Sequence, residues 1–259
     1  METCLSSRLT AAMRHACAFC ALVAALGCGD ATGPADCRGS NATALEGGSC
    51  LVFTDGGLTP SHRAVIERVA RETMVAVRRL LPITEVSIRV AAGTATEIPG
   101  LGFGGRAPGT DLVLLTVNPQ SPLLSQTLPT ELFPLLAHEL HHVARHRAVG
   151  FSANLFEAMI LEGLADQFSM EVAGIDPPRW ATALNAADLA LWLELSRPQW
   201  FVANYGHDRW FFGSADVPLW TGYSIGFELT RRYLAAHPTR PASQLYDEPA
   251  SAFLPADGR

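Results

Sequence analysis

The sequence predicts an α+β fold, with a small α/β N-terminal lobe followed by a mainly helical C-terminal lobe. Three observations carry that expectation. Hydrophobic residues make up 48% and charged residues 17% of the 259 residues, so the chain can bury a real core. Strand-like runs are confined to the first half: Leu51-Val52-Phe53, Val86-Ser87-Ile88-Arg89-Val90 and Asp111 to Val117. From Pro129 onward the apolar residues recur at helical spacing instead.

At the N-terminus, Arg8, Arg14 and His15 precede an apolar run from Ala16 to Leu26. That run is too short for a bilayer core, which needs roughly twenty residues, but it suits the h-region of a signal peptide. It ends in Ala25-Leu26-Gly27-Cys28-Gly29-Asp30, which resembles the bacterial lipobox, where the Cys is lipidated and becomes the mature N-terminus. Ala25 and Leu26 depart from the usual residues there, so ordinary signal cleavage near Ala31 stays the alternative. The expectation is a signal peptide over 1–27, a lipid-anchor tether over 28–50 rich in small residues, and one domain over 51–259. Such a chain is exported to the bacterial cell envelope as a lipoprotein held to the membrane at Cys28, or is secreted in soluble form under the alternative. Cys37 and Cys50 suit an oxidising compartment, where they close one short loop as a disulfide; two unpaired thiols are the other reading.

Within the domain, Thr59-Pro60-Ser61 is a helix-start signal, and Val65, Ile66, Val69, Met74, Val77, Leu80 and Leu81 follow at helical spacing up to Pro82. Val86 to Val90 alternates as a half-buried strand, and Asp111 to Val117 reads as a more buried one, after a Gly-rich stretch from Gly100 to Gly109. This second strand is a candidate edge along which a peptide lies by strand addition, with a plain core strand as the alternative. One helix is expected over Thr130 to Arg147 with Thr130 as its cap, and a second from about Ser152 to Val172, closed by Gly174. A third is expected over Trp180 to Leu195 and a last from about Pro218 to Ala236. The aromatics between them, Trp200, Trp210, Phe211 and Phe212, form a core or a substrate wall.

All nineteen basic residues are Arg, and the formal charge is −6. With no basic face to meet a phosphate backbone, nucleic acid is excluded as a partner.

The informative stretch is Ala137-His138-Glu139-Leu140-His141-His142. At about 100° per residue, His138 and His142 lie only about 40° apart and one turn above each other, so both imidazoles can reach one ion. Glu139 lies toward His142, where its carboxylate can act on a metal-bound water. His141 falls on the opposite side and fits a ligand role less well. Surface histidines are the plainer reading, yet Leu132, Leu135, Leu136, Leu140 and Val143 surround the motif and favour burial. A third ligand is expected from the next helix, in Glu162-Gly163-Leu164-Ala165-Asp166: nineteen residues separate His142 and Glu162, enough to finish one helix and return past the metal. Glu157 competes for that role from a shorter return. Gly163 would let the two helices pack closely, and Asp166, one turn beyond Glu162, would accept the second ring N–H of a ligand His. The set His138, His142 and Glu162 is that of an open catalytic site for one Zn²⁺ per chain.

HExxH followed by Glu and, four residues later, Asp is similar to the thermolysin-like gluzincins. More closely, Leu136-Ala137-His138-Glu139-Leu140-His141-His142, Glu162-Gly163-Leu164-Ala165-Asp166 and Trp220-Thr221-Gly222-Tyr223-Ser224-Ile225-Gly226 resemble an uncharacterised bacterial family of predicted Zn-dependent proteases. The resemblance spans about Leu58 to Leu254. It implies a zincin-like fold with the metal site between the two lobes, and hydrolysis of a peptide or protein substrate with Glu139 as general base. A gluzincin also needs a donor for the oxyanion, for which Tyr223, His207 and Tyr205 are candidates and Tyr223 the first choice. A catalytically inactive metal-binding scaffold or chaperone of the same fold, or a metal or stress sensor, is the competing reading. Glu139 speaks against it, since a scaffold needs no base beside its ligands.

Overall fold

The structure, a computed structural model, describes residues 34–39, 41–54 and 56–256. The expected signal peptide and Cys28 lie outside them. Five strands form one mixed sheet: β1 (Ala42–Ala44), β2 (Cys50–Phe53), β3 (Ser87–Ala92), β4 (Phe103–Arg106) and β5 (Leu112–Val117), in the order β1-β2-β3-β5-β4. β2, β3 and β5 run parallel, and β1 and β4 flank them antiparallel. Helix α1 (Pro60–Arg78) is the crossover from β2 to β3, and it starts where Thr59 caps His62 N–H at 3.2 Å. Helix α2 (Leu124–Val149) packs against α1 and the sheet side, and the core between them is built from Ile66, Met74, Ile88, Leu115, Leu132 and Leu136.

The helices α3 (Leu155–Ala173), α4 (Ala186–Ser196), α5 (His207–Phe211) and α6 (Thr221–Ala236) enclose a second core with Phe156, Met159, Trp200, Trp210, Phe211 and Ile225. α3 starts at the Asn154 cap and ends at Gly174 in the left-handed conformation, which its lack of a Cβ permits. Three of the four aromatics expected as either core or substrate wall are core; Phe212 is 57% exposed.

Several expectations are corrected. Part of the stretch read as a tether is folded: residues 35–38 form a 3-10 turn, β1 pairs with β2, and the expected disulfide joins Cys37 to Cys50. Asp36 accepts from Ser87 Oγ at 3.0 Å and pairs with Arg89, so this stretch is bound to the sheet by specific contacts that small-residue composition does not reveal. Closing a loop with 13 residues of separation stabilises the fold by about 3 kcal/mol. Asp111 to Val117 is an interior strand, not an edge, because β4 covers it. α2 begins at Leu124, so Thr130 is inside it rather than its cap; Pro129 and Pro134 are accommodated, and the Thr130 hydroxyl bonds back to the Gln126 and Thr127 carbonyls, both at 3.3 Å. α4 begins six residues later than read, at Ala186, because the Asn185 side chain caps Ala187 and Asp188 N–H at 3.0 Å.

Candidate metal centre

α2 and α3 place the predicted residues side by side. One turn separates His138 and His142 on α2, with ring centroids 4.5 Å apart, and Glu162 faces both from α3. His138 Nε2 lies 3.1 Å and His142 Nε2 3.4 Å from Glu162 Oε2, and one ligand atom from each of the three residues falls within 4.8 Å of the others. The candidates set against them are elsewhere. His141 is fully buried against Phe168 with ring centroids 5.3 Å apart, and Glu157 is spent at the start of α3, where its carboxylate accepts from Ala153 N–H at 2.6 Å and Asn154 Nδ2 at 3.0 Å.

Asp166 Oδ1 accepts the Nδ1–H of His138 at 2.9 Å and the Nε1–H of Trp180 at 2.9 Å. The first bond fixes the tautomer: with the proton on Nδ1, the Nε2 lone pair of His138 faces the Glu162 carboxylate. Two acceptors at 3.1 Å repel unless a second proton on Nε2 or a metal ion lies between them. The spacing fits a metal ion, since two ligands about 2.0–2.1 Å from a tetrahedral centre stand about 3.3–3.4 Å apart. The buried His/His/Glu site is therefore compatible with one zinc ion.

The charges are mutually tuned. Burial pushes the Glu162 carboxyl up, but His142 and His138 outweigh it and hold it well below the carboxylate range. Burial opposes the imidazolium of His138, yet the bonds to Asp166 and Glu162 raise its proton affinity well above the ordinary value. Asp166 itself is pushed up by burial, opposed by His138 and Trp180. Outer partners of this kind typically shift metal affinity or activity by about 10–100-fold. Asp166→Asn is expected to lower zinc affinity by that factor while the zinc-free protein still folds and melts cooperatively. A competitive chelator titration beside melts of both zinc-free proteins checks this, and equal affinities would separate Asp166 from the metal.

Glu139 lies in the cleft opposite β4, buried, with Oε2 lacking a hydrogen-bond partner among the described residues, and burial raises its pKa. A Cβ on Gly105 would meet Glu139 Oε1 at 2.9 Å, so glycine at this strand position makes room for the carboxylate. The cleft has a volume of about 530 Å³ and is lined by the three candidate ligands, Glu139, Tyr223 and His207. Burial, then the charges of Glu162, Asp166 and Glu139, raise the Tyr223 hydroxyl far above its ordinary pKa, so it remains a proton donor. Tyr205 stands behind His207, whose Nδ1 is 3.0 Å from the Tyr205 hydroxyl.

Gly163 does not serve the α2–α3 contact. It meets the backbone of α6 at Gly226, and Gly226 in turn meets the Met159 carbonyl, so α6 presses on the helix that carries Glu162. Sequence reasoning also missed Trp180 and Arg145. Arg145, buried on α2, donates through Nη1 to the carbonyls of Leu245 (3.2 Å), Tyr246 (3.2 Å) and Glu248 (2.8 Å), tying the C-terminal segment to the metal helix. Burial lowers its pKa to about 10, against Asp247, Glu157 and Glu248. Its place three residues after His142 was the only available signal.

The profile of the family described as Predicted Zn-dependent protease (DUF2268) matches residues 66–255. A solved structure of an aminopeptidase N family protein from Idiomarina loihiensis is similar at 11% identity with a TM-score of 0.39, over 79% of this chain and 38% of that one. The chain thus spans well under half of that protein's length. No curated protein matches.

Proposed function

The chain belongs to the family of predicted Zn-dependent proteases, and from that premise we propose that it is a zincin-like metallopeptidase of the HExxH type, with His138, His142 and Glu162 as ligands. The observation that carries the proposal is the convergence of one ligand atom each from His138, His142 and Glu162 within 4.8 Å, with Glu139 beside them in the same cleft. Zinc, when bound, supplies Lewis acidity, acidifying water and polarising a carbonyl. Glu139 is the general base: its carboxylate takes the proton of the attacking water and returns it to the leaving amine. Its burial favours this, because a carboxyl with a raised pKa binds the transferred proton more strongly. Tyr223, protonated and lining the cleft, is the proposed donor to the oxyanion.

The edge strand proposed to receive the peptide is β4. Phe103 C=O accepts from Ile98 N–H at 3.0 Å on the side away from β5, whereas Gly102 C=O accepts from Asn118 N–H at 2.8 Å on the β5 side. By this alternation the N–H and C=O of Gly105 point away from β5, beside Glu139, where an added strand can pair with them. A capped-peptide library should be cleaved by the zinc-loaded protein, with activity lost on chelation and restored by about one equivalent of zinc. Zinc binding with no cleavage of any peptide would favour the inactive scaffold.

We also propose export and attachment to the bacterial envelope membrane through Cys28. No helix among the described residues is long and apolar enough to cross a membrane. Cys28→Ala is expected to move the protein from the membrane fraction to the soluble one. A chain already soluble with Cys28 intact would support simple signal cleavage.

A further inference from the structure

Three cavities follow one face of α2 in sequence. The central cleft touches Leu135, His138, Glu139, His142 and His146, residues at helical spacing along about three turns. A second cavity of about 420 Å³ lies toward the N-terminus of α2, at Glu131 on that face and at Thr130 and Pro134 beside it, and shares Leu135 and Trp180 with the central cleft. A third, of about 240 Å³, takes up the C-terminal continuation at Arg145 and Val149, and shares Leu161 with it. The candidate metal ligands lie between the two extensions. The stretch from Thr130 to Gly150 is roughly 30 Å long at 1.5 Å per residue, the span of about nine residues of extended chain at about 3.3 Å each.

We infer that the three cavities form one trough that holds about nine residues of extended polypeptide on both sides of the metal centre, so that the protein cleaves internal bonds of unfolded chains instead of trimming a terminus. The inference rests on the protease reading and specifies its substrate class. An enzyme that trims termini closes its cleft within a residue or two of the reacting bond, whereas the charged side chains here, Glu97 and Arg106 centrally and Glu131, Asp176 and Arg179 beyond, are spread along the lining. Here the lining continues in both directions, through Leu135 and Trp180 at one end and Leu161 at the other. The outer parts are lined by partly exposed apolar side chains, Ile175 (37% exposed) in the second cavity and Val149 (42%) in the third, which suit the side chains of an unfolded segment.

The test uses the zinc-loaded mature chain and peptides blocked by acetylation and amidation, spanning one bond that the library shows to be cut. Extending a four-residue peptide to nine, separately on each side of that bond, is expected to raise kcat/KM at least tenfold per side. Ile175→Trp and Val149→Trp narrow opposite ends, and each is expected to raise the ratio of the nine-residue to the four-residue KM about tenfold, for extension on its own side only. No gain from extension, or cleavage only of peptides with a free terminus, overturns the trough and leaves hydrolysis standing. If the wild type cuts no peptide, the protease reading falls, and fluorescence anisotropy with the same peptides decides the trough: tenfold tighter binding of the nine-residue peptide keeps it, and equal affinities overturn it.

Discussion

Glu139→Gln is expected to bind zinc like the wild type and to lose about 10²–10⁴-fold in kcat/KM, the usual contribution of a positioned proton acceptor. The amide matches the carboxylate in size but cannot accept the proton of the attacking water. Since Glu139 is buried and its Oε2 has no hydrogen-bond partner among the described residues, the uncharged amide is easier to desolvate. The zinc-free melting temperature should therefore stay level or rise. Metal analysis, kinetics on one capped peptide and a thermal melt make the full check. Hydrolysis near the wild-type rate would remove Glu139 from the mechanism; a collapse in stability would show that its role is structural.

His138→Ala, His142→Ala and Glu162→Gln are each expected to abolish stoichiometric zinc, a larger loss than the one for Asp166→Asn, because each removes a bond to the ion itself. The readout is the stabilisation that zinc confers. A ligand that binds only the folded state at about a thousand times its dissociation constant adds about 4 kcal/mol, so zinc should raise the wild-type melting temperature by several degrees and leave these variants unmoved. His138→Ala has a further consequence, since it leaves the buried Asp166 carboxylate with Trp180 alone on the oxygen that both residues share. Its zinc-free form should be the least stable of the three. A variant that keeps full zinc occupancy would show that its residue is not a ligand.

Much of the site was legible in the sequence because it is local. A turn of helix fixes His138 against His142, and nineteen intervening residues limit where Glu162 can return. Asp166 follows from the same helical spacing. What was not legible is what other parts of the chain bring to these helices. β4 carries Gly104 and Gly105, poor strand formers whose placement makes sense only once Thr96 and Glu139 are seen against them. Missing that strand turned β5 into an edge. Trp180 was read into a helix, whereas the Asn185 cap starts that helix later and leaves the indole to reach Asp166. The folded part of the tether was hidden in the same way: a disulfide and the contacts of Asp36 hold a stretch whose composition describes a linker.

The central claim is that this cleft holds one zinc on two imidazoles and one carboxylate. X-ray absorption at the zinc edge, on the wild type loaded with one equivalent, tests it most directly. The expected result is a four-coordinate ion with only nitrogen and oxygen neighbours at about 2.0–2.2 Å, two of them imidazole, and loss of one imidazole from the spectrum of any residual zinc in His142→Ala. A sulfur shell at about 2.3 Å, a six-coordinate oxygen-only ion, or a spectrum unchanged by His142→Ala would contradict it.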